Sequence, residues 1–596
     1  MPRNKVLEKA KANISASRSA FDCSHERSQT AIAGDIQVVY AQPFVKGTNG
    51  KINVDSFTRS AAVVAPAFHR VTEHIDFFKV PIHSLWRYWE NWKLNINDMQ
   101  DTNLVPWNSS TDEVDLSIPS YAPRMNYHAL TRSLYGSQSP SVLLDVQNLC
   151  RKMNDVLRLC DELRISDKLV FHDASTPTTY STVLSLFMPA AYQKIYFEHY
   201  RNTAYESNNP YAFNLDWLTS SGANGLLTPD DSDSTKSKHT VIAREIFKRR
   251  RVNYRNDYFH NIYPSLNYVL SSPNGINWLI PSDIGQLGLN ANGYSSTVVG
   301  NQYGVTLRSS GNINSNGVNY PGTVQAIRTA FALDKIMRAS AYAPKHVRDQ
   351  YKAQFGVDGE KYDKDMCSER LGSFQSEIVF QEVTNMAESS SAALGDLGAK
   401  GIGSTRGNKD ISFYCDDDCI IMGVRYFMPR ARYDANGIHP WNVKIAREDF
   451  YQKAFENLGL RPFYWYNVDQ GANMNAQIGW TVPNFEYKIL PDLNFDCFKE
   501  TYCDFWATQT GQVVTITKSG NTQDFLRAFV PHTNEVLLGN GPVTADYFKV
   551  SAEDLNNLFA VQVTPNHHRS VYQFYSNIRV KCAVVAPMSV HGQPSL

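Results

Sequence analysis

The chain has 596 residues, 42% of them hydrophobic, so it is long enough to bury a large core. Lysine and arginine total 58, and aspartate and glutamate also total 58, which gives a formal net charge of zero. Proteins that bind nucleic acid or membranes over most of their surface usually carry a basic excess, so this composition excludes that class. Any such contact must come from a local patch.

The first residues, MPRNKVLEKAKANISAS, are basic but lack the apolar segment of a signal peptide. No later stretch offers the roughly 18 uninterrupted apolar residues that a membrane helix needs. The 9 cysteines are odd in number and dispersed, which fits reduced thiols better than a disulfide framework. We therefore expect a soluble protein that is made and kept in a cytoplasm.

Residues 1–30 are polar and mixed in charge, which predicts an N-terminal arm that orders only against a partner. After the arm, Ile36, Val38 and Tyr40 occupy alternate positions, which is typical of a strand. We therefore expect the folded part of the chain, residues 31–596, to begin with this strand.

The most continuous apolar stretch runs from residue 63 to residue 92. Within it, residues 71–80 have strand periodicity that slips in phase at Phe77 and Phe78. Pro81 can begin a helix but cannot sit inside one. The apolar residues that follow recur at a spacing near 3.6: Ile82, Leu85, Trp86, Trp89 and Trp92. Each tryptophan buries on the order of 200 Å², so these side chains must be covered by this chain or by another.

Further along, apolar stripes predict helices at residues 141–163, 189–206 and 324–342. Residues 208–322 are rich in Gly, Asn and Ser, which predicts a loop-rich insertion with one more regular stretch at 247–258. Residues 388–409 are rich in Gly, Ser and Ala and predict a flexible loop.

Strands dominate the last third of the sequence, at residues 411–414, 420–428, 486–490 and 571–585. The chain therefore has strands near both ends, with helices and long loops inserted between them. We expect the two ends to pair in one antiparallel sheet system.

No catalytic spacing is present: the sequence lacks HExxH, GxSxG, a Walker loop and GxGxxG. Cys415 and Cys419 enclose three aspartates, but zinc needs four ligands and no matching pair accompanies them, so a turn with exposed acids is the better interpretation. The acidic cluster Asp230, Asp231 and Asp233 lacks the glycine and glutamate of a calcium loop. We expect no catalytic residue, no metal and no cofactor.

The best candidate for nucleic-acid contact is a basic run interleaved with Tyr254 and Tyr258; its members are Lys248, Arg249, Arg250, Arg251 and Arg255. Arginine and lysine neutralise phosphates, and tyrosine rings can stack on unpaired bases. The alternative, weighed equally, is that these arginines pair with carboxylates at a subunit contact.

Several segments, in order, resemble the major capsid protein of microviruses, particularly the gokushovirus-like lineages. They begin with FDCSHERSQTAIAGDIQVVYAQPFVKG at Phe21, and the others are HIDFFKVPIHSLWRYWENW at His74, PAAYQKIYFEHYRN at Pro189, RVNYRNDYFHNIYPS at Arg251, IIMGVRYFMPRARYD at Ile420 and VVAPMSVHGQPSL at the end. The likeness spans nearly the whole chain but leaves the loops at 208–322 and 388–409 without a match.

The resemblance implies a mainly β fold, a single jelly roll of eight antiparallel strands forming a sandwich or barrel with large inserted loops and helices, over residues 31–596. It implies a virion protein, not an enzyme, that assembles in the bacterial cytoplasm into a small T=1 icosahedral shell around circular single-stranded DNA. The implied partners are copies of itself, the packaged DNA, a small basic DNA-binding phage protein, a pilot protein and a host receptor.

In such a shell, the insertion at 208–322 is the expected outward projection, and surface loops are expected to meet the host receptor. Some of Trp86, Trp89 and Trp92 are then expected to be covered only by neighbouring subunits, because assembly interfaces favour aromatic residues. The alternative is a β-rich carbohydrate-binding protein or glycoside hydrolase, which would also carry aromatics and scattered acids.

Overall fold

The computed structural model of the chain describes residues 18–64, 68–94, 118–121, 125–126, 158–165, 171–172, 183–219, 226–227, 237–264, 347–357, 367–384, 397–407, 409–435, 437–456, 459–468, 477–499, 545–555, 558–559 and 572–590, with single positions at 332, 335, 336, 339, 343 and 506.

The described residues are mainly β. In chain order the strands are β1 (Ser19–Asp22), β2 (His25–Ala31), β3 (Gln37–Phe44), β4 (Asn49–Val63), β5 (Val71–Pro81), β6 (Ser120–Tyr121), β7 (Met125–Asn126), β8 (Phe171–His172), β9 (Leu184–Ser185), β10 (Leu226–Leu227), β11 (Glu369–Thr384), β12 (Leu397–Arg406), β13 (Ile411–Tyr414), β14 (Cys419–Pro429), β15 (Tyr433–Asp434), β16 (Arg461–Tyr464), β17 (Gln477–Thr481), β18 (Leu493–Asn494) and β19 (Phe574–Ala586).

The helices are short. They are α1 (Trp89–Leu94), α2 (Phe187–Ile195), which continues as a π-helical turn over Tyr196–Tyr200, α3 (Ser237–Ile246) and α4 (Val347–Phe355). Single 3-10 turns lie at Ile82–Ser84, Pro210–Ala212, Asp216–Thr219, Pro440–Val443, Arg447–Asp449, Lys453–Phe455, Trp465–Asn467, Phe485–Tyr487, Asp496–Lys499, Ala545–Phe548 and Ala552–Leu555.

One large antiparallel sheet organises the fold, in the order β1-β19-β4-β12-β11-β5-β14-β3, with β2 also paired to β19 and β13 to β4. The path curls as an eight-stranded half-barrel, so the predicted jelly-roll-like β fold is confirmed. The other pairings are small: β10-β6-β9, β15-β18, β16-β17 and β7-β8.

The two ends of the chain pair, as predicted. β1 and β2 both lie antiparallel to β19, with Ser19 opposite Ala586 and Phe574 opposite Ala31. The predicted N-terminal arm, residues 1–30, is therefore corrected over 19–30: these residues are strands of the sheet. Their alternating half-buried and exposed side chains explain why the segment looks polar in the sequence.

Two hydrophobic cores lie on opposite sides of β5 and β14. On β5, Phe77 packs into the core inside the curl and Phe78 into the core outside it; on β14, Ile421 and Met422 divide in the same way. Strands buried on both faces read as continuous apolar runs rather than as alternation. The phase slip that the sequence has at Phe77 and Phe78 is therefore a strand that serves two cores.

A helical layer covers the outer core. Tyr192 and Ile195 of α2 are buried in it, and so are Ile246, Phe247 and Val252 of the following segment. The loop-rich insertion predicted for 208–322 is therefore corrected over its described part, because residues 243–254 pack in the interior. Residues 265–322 lie outside the described residues.

The flexible loop predicted for 388–409 is also corrected over residues 397–406, because Leu397–Arg406 is the strand β12 between β4 and β11; residues 388–396 lie outside the described residues. Its glycines allow close packing: a Cβ at Gly401 would lie 2.8 Å from the Phe380 ring, and one at Gly403 3.0 Å from the Ile378 side chain. The low-complexity composition thus reflects close contact between strands and not mobility.

Other local predictions had mixed outcomes. The strands at 71–80, 411–414, 420–428 and 571–585 are confirmed as β5, β13, β14 and β19. The strand predicted at 486–490 is wrong, because Phe485–Tyr487 is a 3-10 turn entered from Asn484 in the left-handed region. The helix at 189–206 is confirmed as far as residue 200, while those at 141–163 and 324–342 lie mostly outside the described residues.

Candidate assembly and nucleic-acid interfaces

The helix that carries the tryptophans is held by an acidic turn between β13 and β14. The Asp418 carboxylate accepts hydrogen bonds from the Trp89 indole N–H at 2.8 Å and from the Lys46 backbone N–H at 3.0 Å, and it also pairs with Lys93. Burial alone would raise the pKa of Asp418, but hydrogen bonds from Lys93 and Trp89 hold it below its ordinary value. In the turn predicted to expose its acids, Asp418 is therefore an anchor for α1, whereas Asp416 is 63% exposed at its side chain.

Trp86 is covered by its own chain. Its side chain is fully buried, its indole N–H donates to the Thr219 hydroxyl at 3.0 Å, and its ring lies 6.3 Å from that of Phe187. Thr219 lies in the insertion that the sequence assigned to loops. Trp86 is therefore a core residue of the folded monomer.

Trp89 and Trp92 lie progressively further out. Trp89 is half-buried against the Phe187 ring at 5.3 Å, whereas Trp92 is 37% exposed and Leu94 64% exposed. The Trp89 and Trp92 rings are 5.8 Å apart. The single helix predicted after Pro81 is instead a 3-10 turn at Ile82–Ser84 followed by α1, and this break carries the outer tryptophans to the surface.

The basic run does not form one surface. Arg249 is buried: its guanidinium lies 3.1 Å from the Glu162 carboxylate and 3.8 Å from Asp35, and Asp35 also pairs with Arg251 at 3.5 Å. Burial raises the pKa of Glu162 even though Arg249 lowers it. Arg249 is therefore part of a buried ionic cluster within one chain.

Arg250 is likewise committed inside the fold. Its guanidinium donates to the Gln193 side-chain oxygen at 2.7 Å and to the Glu245 carboxylate at 2.8 Å, and it lies over the Phe197 ring at 4.9 Å. Lys248 pairs with the same Glu245 at 3.7 Å and is 36% exposed at its side chain. These carboxylates belong to the same chain, whereas the alternative weighed from the sequence placed such pairs at a subunit contact.

Arg255 reaches a different environment, beside His74 on β5. Its guanidinium lies 3.3 Å from His74 Nε2, and the His74 ring stacks on Tyr426 at 4.9 Å. Burial, followed by the charge of Arg255, lowers the pKa of His74 to about 4, against the opposing effect of Asp76. Asp76 in turn pairs with Arg370 at 2.8 Å.

We expect His74 to make the stability of the folded chain sensitive to acid. Because the pKa of His74 is about 4 in the folded chain, below its ordinary value of 6.5, the unfolded chain takes up the proton first as pH falls. Stability that is complete above pH 6.5 is then lost toward pH 4, by at most about 3 kcal/mol. We expect urea unfolding at pH 7 and pH 5 to show a smaller loss for His74→Gln than for the unchanged chain. Equal losses would contradict this.

Sequence reasoning missed the most deeply buried ion pair among the described residues, between Glu73 on β5 and Arg425 on β14. Both side chains are 0% exposed and their charged atoms are 3.5 Å apart. Glu73 also accepts hydrogen bonds from Ser56 at 3.1 Å and Thr58 at 3.3 Å. The available signal was Arg425, the single charged residue of the otherwise apolar strand β14.

No group of three or more His, Cys, Asp or Glu side chains among the described residues is placed to hold a metal ion. In the same part of the chain, no helix has the length and apolar character to cross a membrane.

A curled antiparallel sheet of jelly-roll type defines a class that includes viral capsid subunits and lectins. Residues 10–124 match a phage family described as Capsid protein (F protein). The predicted resemblance to the microvirus major capsid family is thereby confirmed, and that family is structural rather than enzymatic. No curated protein matches the chain.

Proposed function

We propose that this phage capsid protein is the major subunit of a T=1 icosahedral shell that encloses a circular single-stranded DNA genome. The observation that carries the proposal is the family match over residues 10–124. That segment supplies β1 to β5, strands that line the inner core and connect it to the outer one. Assembly takes place in the cytoplasm of a bacterial host, and the mature location is the virion.

The principal partner is a further copy of the same chain. Trp92 and Leu94 project from α1, which is fixed to the sheet through Asp418. A rigidly held, exposed aromatic residue is the kind of anchor that carries much of the energy of a protein interface. Contact between this edge and a neighbouring subunit supports a closed shell.

Packaged DNA, a small basic DNA-binding phage protein, a pilot protein and a host receptor complete the proposed partners. Within the basic run, Lys248, Arg251 and Arg255 have the more exposed side chains, and they are the members proposed to contact phosphates. Arg249 and Arg250 would have to give up interior carboxylates to do so. The surface loops are the proposed receptor-facing part.

Particle formation tests this function. The purified full chain, placed under assembly conditions, is expected to sediment as large closed particles that electron microscopy images as shells and that protect single-stranded DNA from nuclease. The DNA content is measured after nuclease treatment. A species that remains at the 67.3 kDa mass of one chain under every assembly condition would overturn the proposal.

A further inference from the structure

An exposed aromatic patch follows the end of β14. Its members are Trp441, 47% exposed, Ile445, 93% exposed, Tyr451, 43% exposed, and Tyr487, 49% exposed. The Trp441 and Tyr487 rings are 5.6 Å apart, and the Tyr451 and Tyr487 rings are 6.3 Å apart. We call these four residues the Trp441 patch. Contiguous exposed apolar groups of this kind mark interaction sites.

The rings of the Trp441 patch are held in place from below. The Lys444 ammonium lies 5.6 Å from the centre of the Trp441 ring and 4.9 Å from that of the Tyr487 ring. The Lys444 side chain is 8% exposed, and it pairs with Glu486, which is 5% exposed. Phe485, beside Glu486, is buried in a third hydrophobic cluster. The patch is therefore a preformed surface on a buried support.

The Trp441 patch and α1 lie at opposite ends of one strand. β14, Cys419–Pro429, has 11 residues and is about 35 Å long. α1 is anchored at Asp418, directly before the strand. Arg430, directly after it, pairs with Asp492. Asp492 is five residues from Tyr487, a reach of at most about 17 Å. The two surfaces are therefore separate on each copy of the chain.

The two surfaces also differ in extent. α1 presents two exposed apolar side chains, Trp92 and Leu94, whereas the Trp441 patch has four members. A contact across a two-fold axis brings a surface against its own copy, whereas a head-to-tail contact joins two different surfaces of the same chain. Head-to-tail contacts that repeat around an axis close into rings. Two unlike surfaces at opposite ends of a strand suit this second arrangement.

We propose that α1 of one copy docks, through Trp92 and Leu94, against the Trp441 patch of the next copy, so that subunits join head to tail. This inference rests on the proposed function, since copies of the same chain supply the partner. Both surfaces are aromatic and rigidly held, which is the character of the anchors and pockets that dominate interface energies. Repetition of the contact builds the rings of the shell.

The surroundings of the Trp441 patch favour a second copy over nucleic acid. Exposed charges of both signs border the rings, among them Arg447, Glu448 and Lys453. A polar rim around an aromatic centre is typical of a protein interface. A phosphate-binding surface would instead carry a basic excess. The matched family is one of capsid proteins, whose subunits assemble with each other.

Mixing two damaged chains tests the arrangement. Trp92→Ala removes the α1 anchor and keeps the Trp441 patch, whereas Ile445→Asp places a charge in the patch and keeps α1. Loss of an interface anchor weakens a contact by about thirtyfold. Each variant alone should therefore form no particles at the concentration at which the unchanged chain does. Trp441→Ala should behave as Ile445→Asp does.

Fluorescence-detected sedimentation measures the pairing in the mixture. A labelled Trp92→Ala chain should sediment faster with unlabelled Ile445→Asp than with unlabelled Trp92→Ala at the same concentration. Only the first mixture contains one intact surface of each kind. The pair has no further intact surfaces to join, so growth should stop at twice the 67.3 kDa mass of one chain.

The matched control is Tyr575→Ala, on the open outer side of β19, where the ring is 46% exposed. It removes an equally accessible ring and should assemble as the unchanged chain does. Urea unfolding of unassembled Ile445→Asp should match that of the unchanged chain, because the replaced side chain is 93% exposed.

The outcomes separate this inference from the capsid function. Shells formed by Ile445→Asp and Trp441→Ala at the unchanged yield would overturn it and leave the capsid function intact. A labelled Ile445→Asp chain that pairs with its own unlabelled copies as well as with Trp92→Ala would show α1 meeting α1, and would also overturn it. So would a mixture that forms no pairs although the unchanged chain assembles. An unchanged chain that never assembles would overturn both.

Discussion

Replacing Arg425 with methionine should lower the free energy of unfolding by about 3–5 kcal/mol. Arg425 and Glu73 are both 0% exposed, so removing the arginine leaves a carboxylate charged and buried without its cation. The Arg425 guanidinium also donates to the Gln37 side-chain oxygen and lies 5.0 Å from the centre of the Phe427 ring. The change therefore removes a charge, a hydrogen bond and a ring contact in the interior.

Urea unfolding at pH 7 measures this loss. The matched control is Arg430→Met, just beyond the end of the same strand, where the pair with Asp492 is 53% and 40% exposed. Exposed pairs of this kind contribute at most about 1 kcal/mol. Combining Arg425→Met with Glu73→Gln should recover part of the loss, since glutamine carries no charge yet still accepts from Ser56. A cost for Arg425→Met no larger than that of the control would contradict the argument.

The second large effect concerns the tryptophans, whose replacement should damage either assembly or folding according to their burial. Trp92→Ala should block particle formation while changing the stability of the unassembled chain little, because that side chain is 37% exposed. Trp86→Ala should instead lower the free energy of unfolding by about 3–5 kcal/mol, because it empties a fully buried site. Trp89→Ala should lie between them and harm assembly more than folding, as its position between core and surface implies.

Sedimentation velocity under assembly conditions and urea unfolding of the unassembled chain measure the two quantities independently. Trp86→Ala serves as the reference for damage to the fold, and its assembly is judged only under conditions in which it is folded. Shells formed by Trp92→Ala at the yield of the unchanged chain would remove α1 from the proposed interface.

The long strand β4, Asn49–Val63, could not be recognised from its sequence. β4 turns Ser56, Thr58 and Ser60 inward, and all three are buried. Strand prediction depends on apolar residues at every second position, and here hydroxyl groups occupy those positions. Ser56 and Thr58 can face inward because Glu73 across the core accepts a hydrogen bond from each of them. That requirement exists only when β4 and β5 face each other.

The basic run illustrates the same limit for sites. Four consecutive cations, Lys248 to Arg251, look like a phosphate-binding surface when their partners are unknown. Glu162 and Asp35, which neutralise Arg249, lie 87 and 214 residues earlier in the numbering, and only the fold brings them together. Conversely, Phe57 and Tyr575 are distant in sequence and become neighbours through strand register.

By itself the sequence determined the β class, the pairing of the two ends and the resemblance to a capsid family, because these depend on local alternation and on ordered motifs. The strand within residues 63–92 was correctly predicted, whereas the single helix expected after Pro81 is a 3-10 turn followed by α1. Only the tertiary structure decided which tryptophan is covered by its own chain, which arginines are buried and which sheet face stays open. Those outcomes depend on residues far apart in the sequence, and local patterns carry no information about such partners.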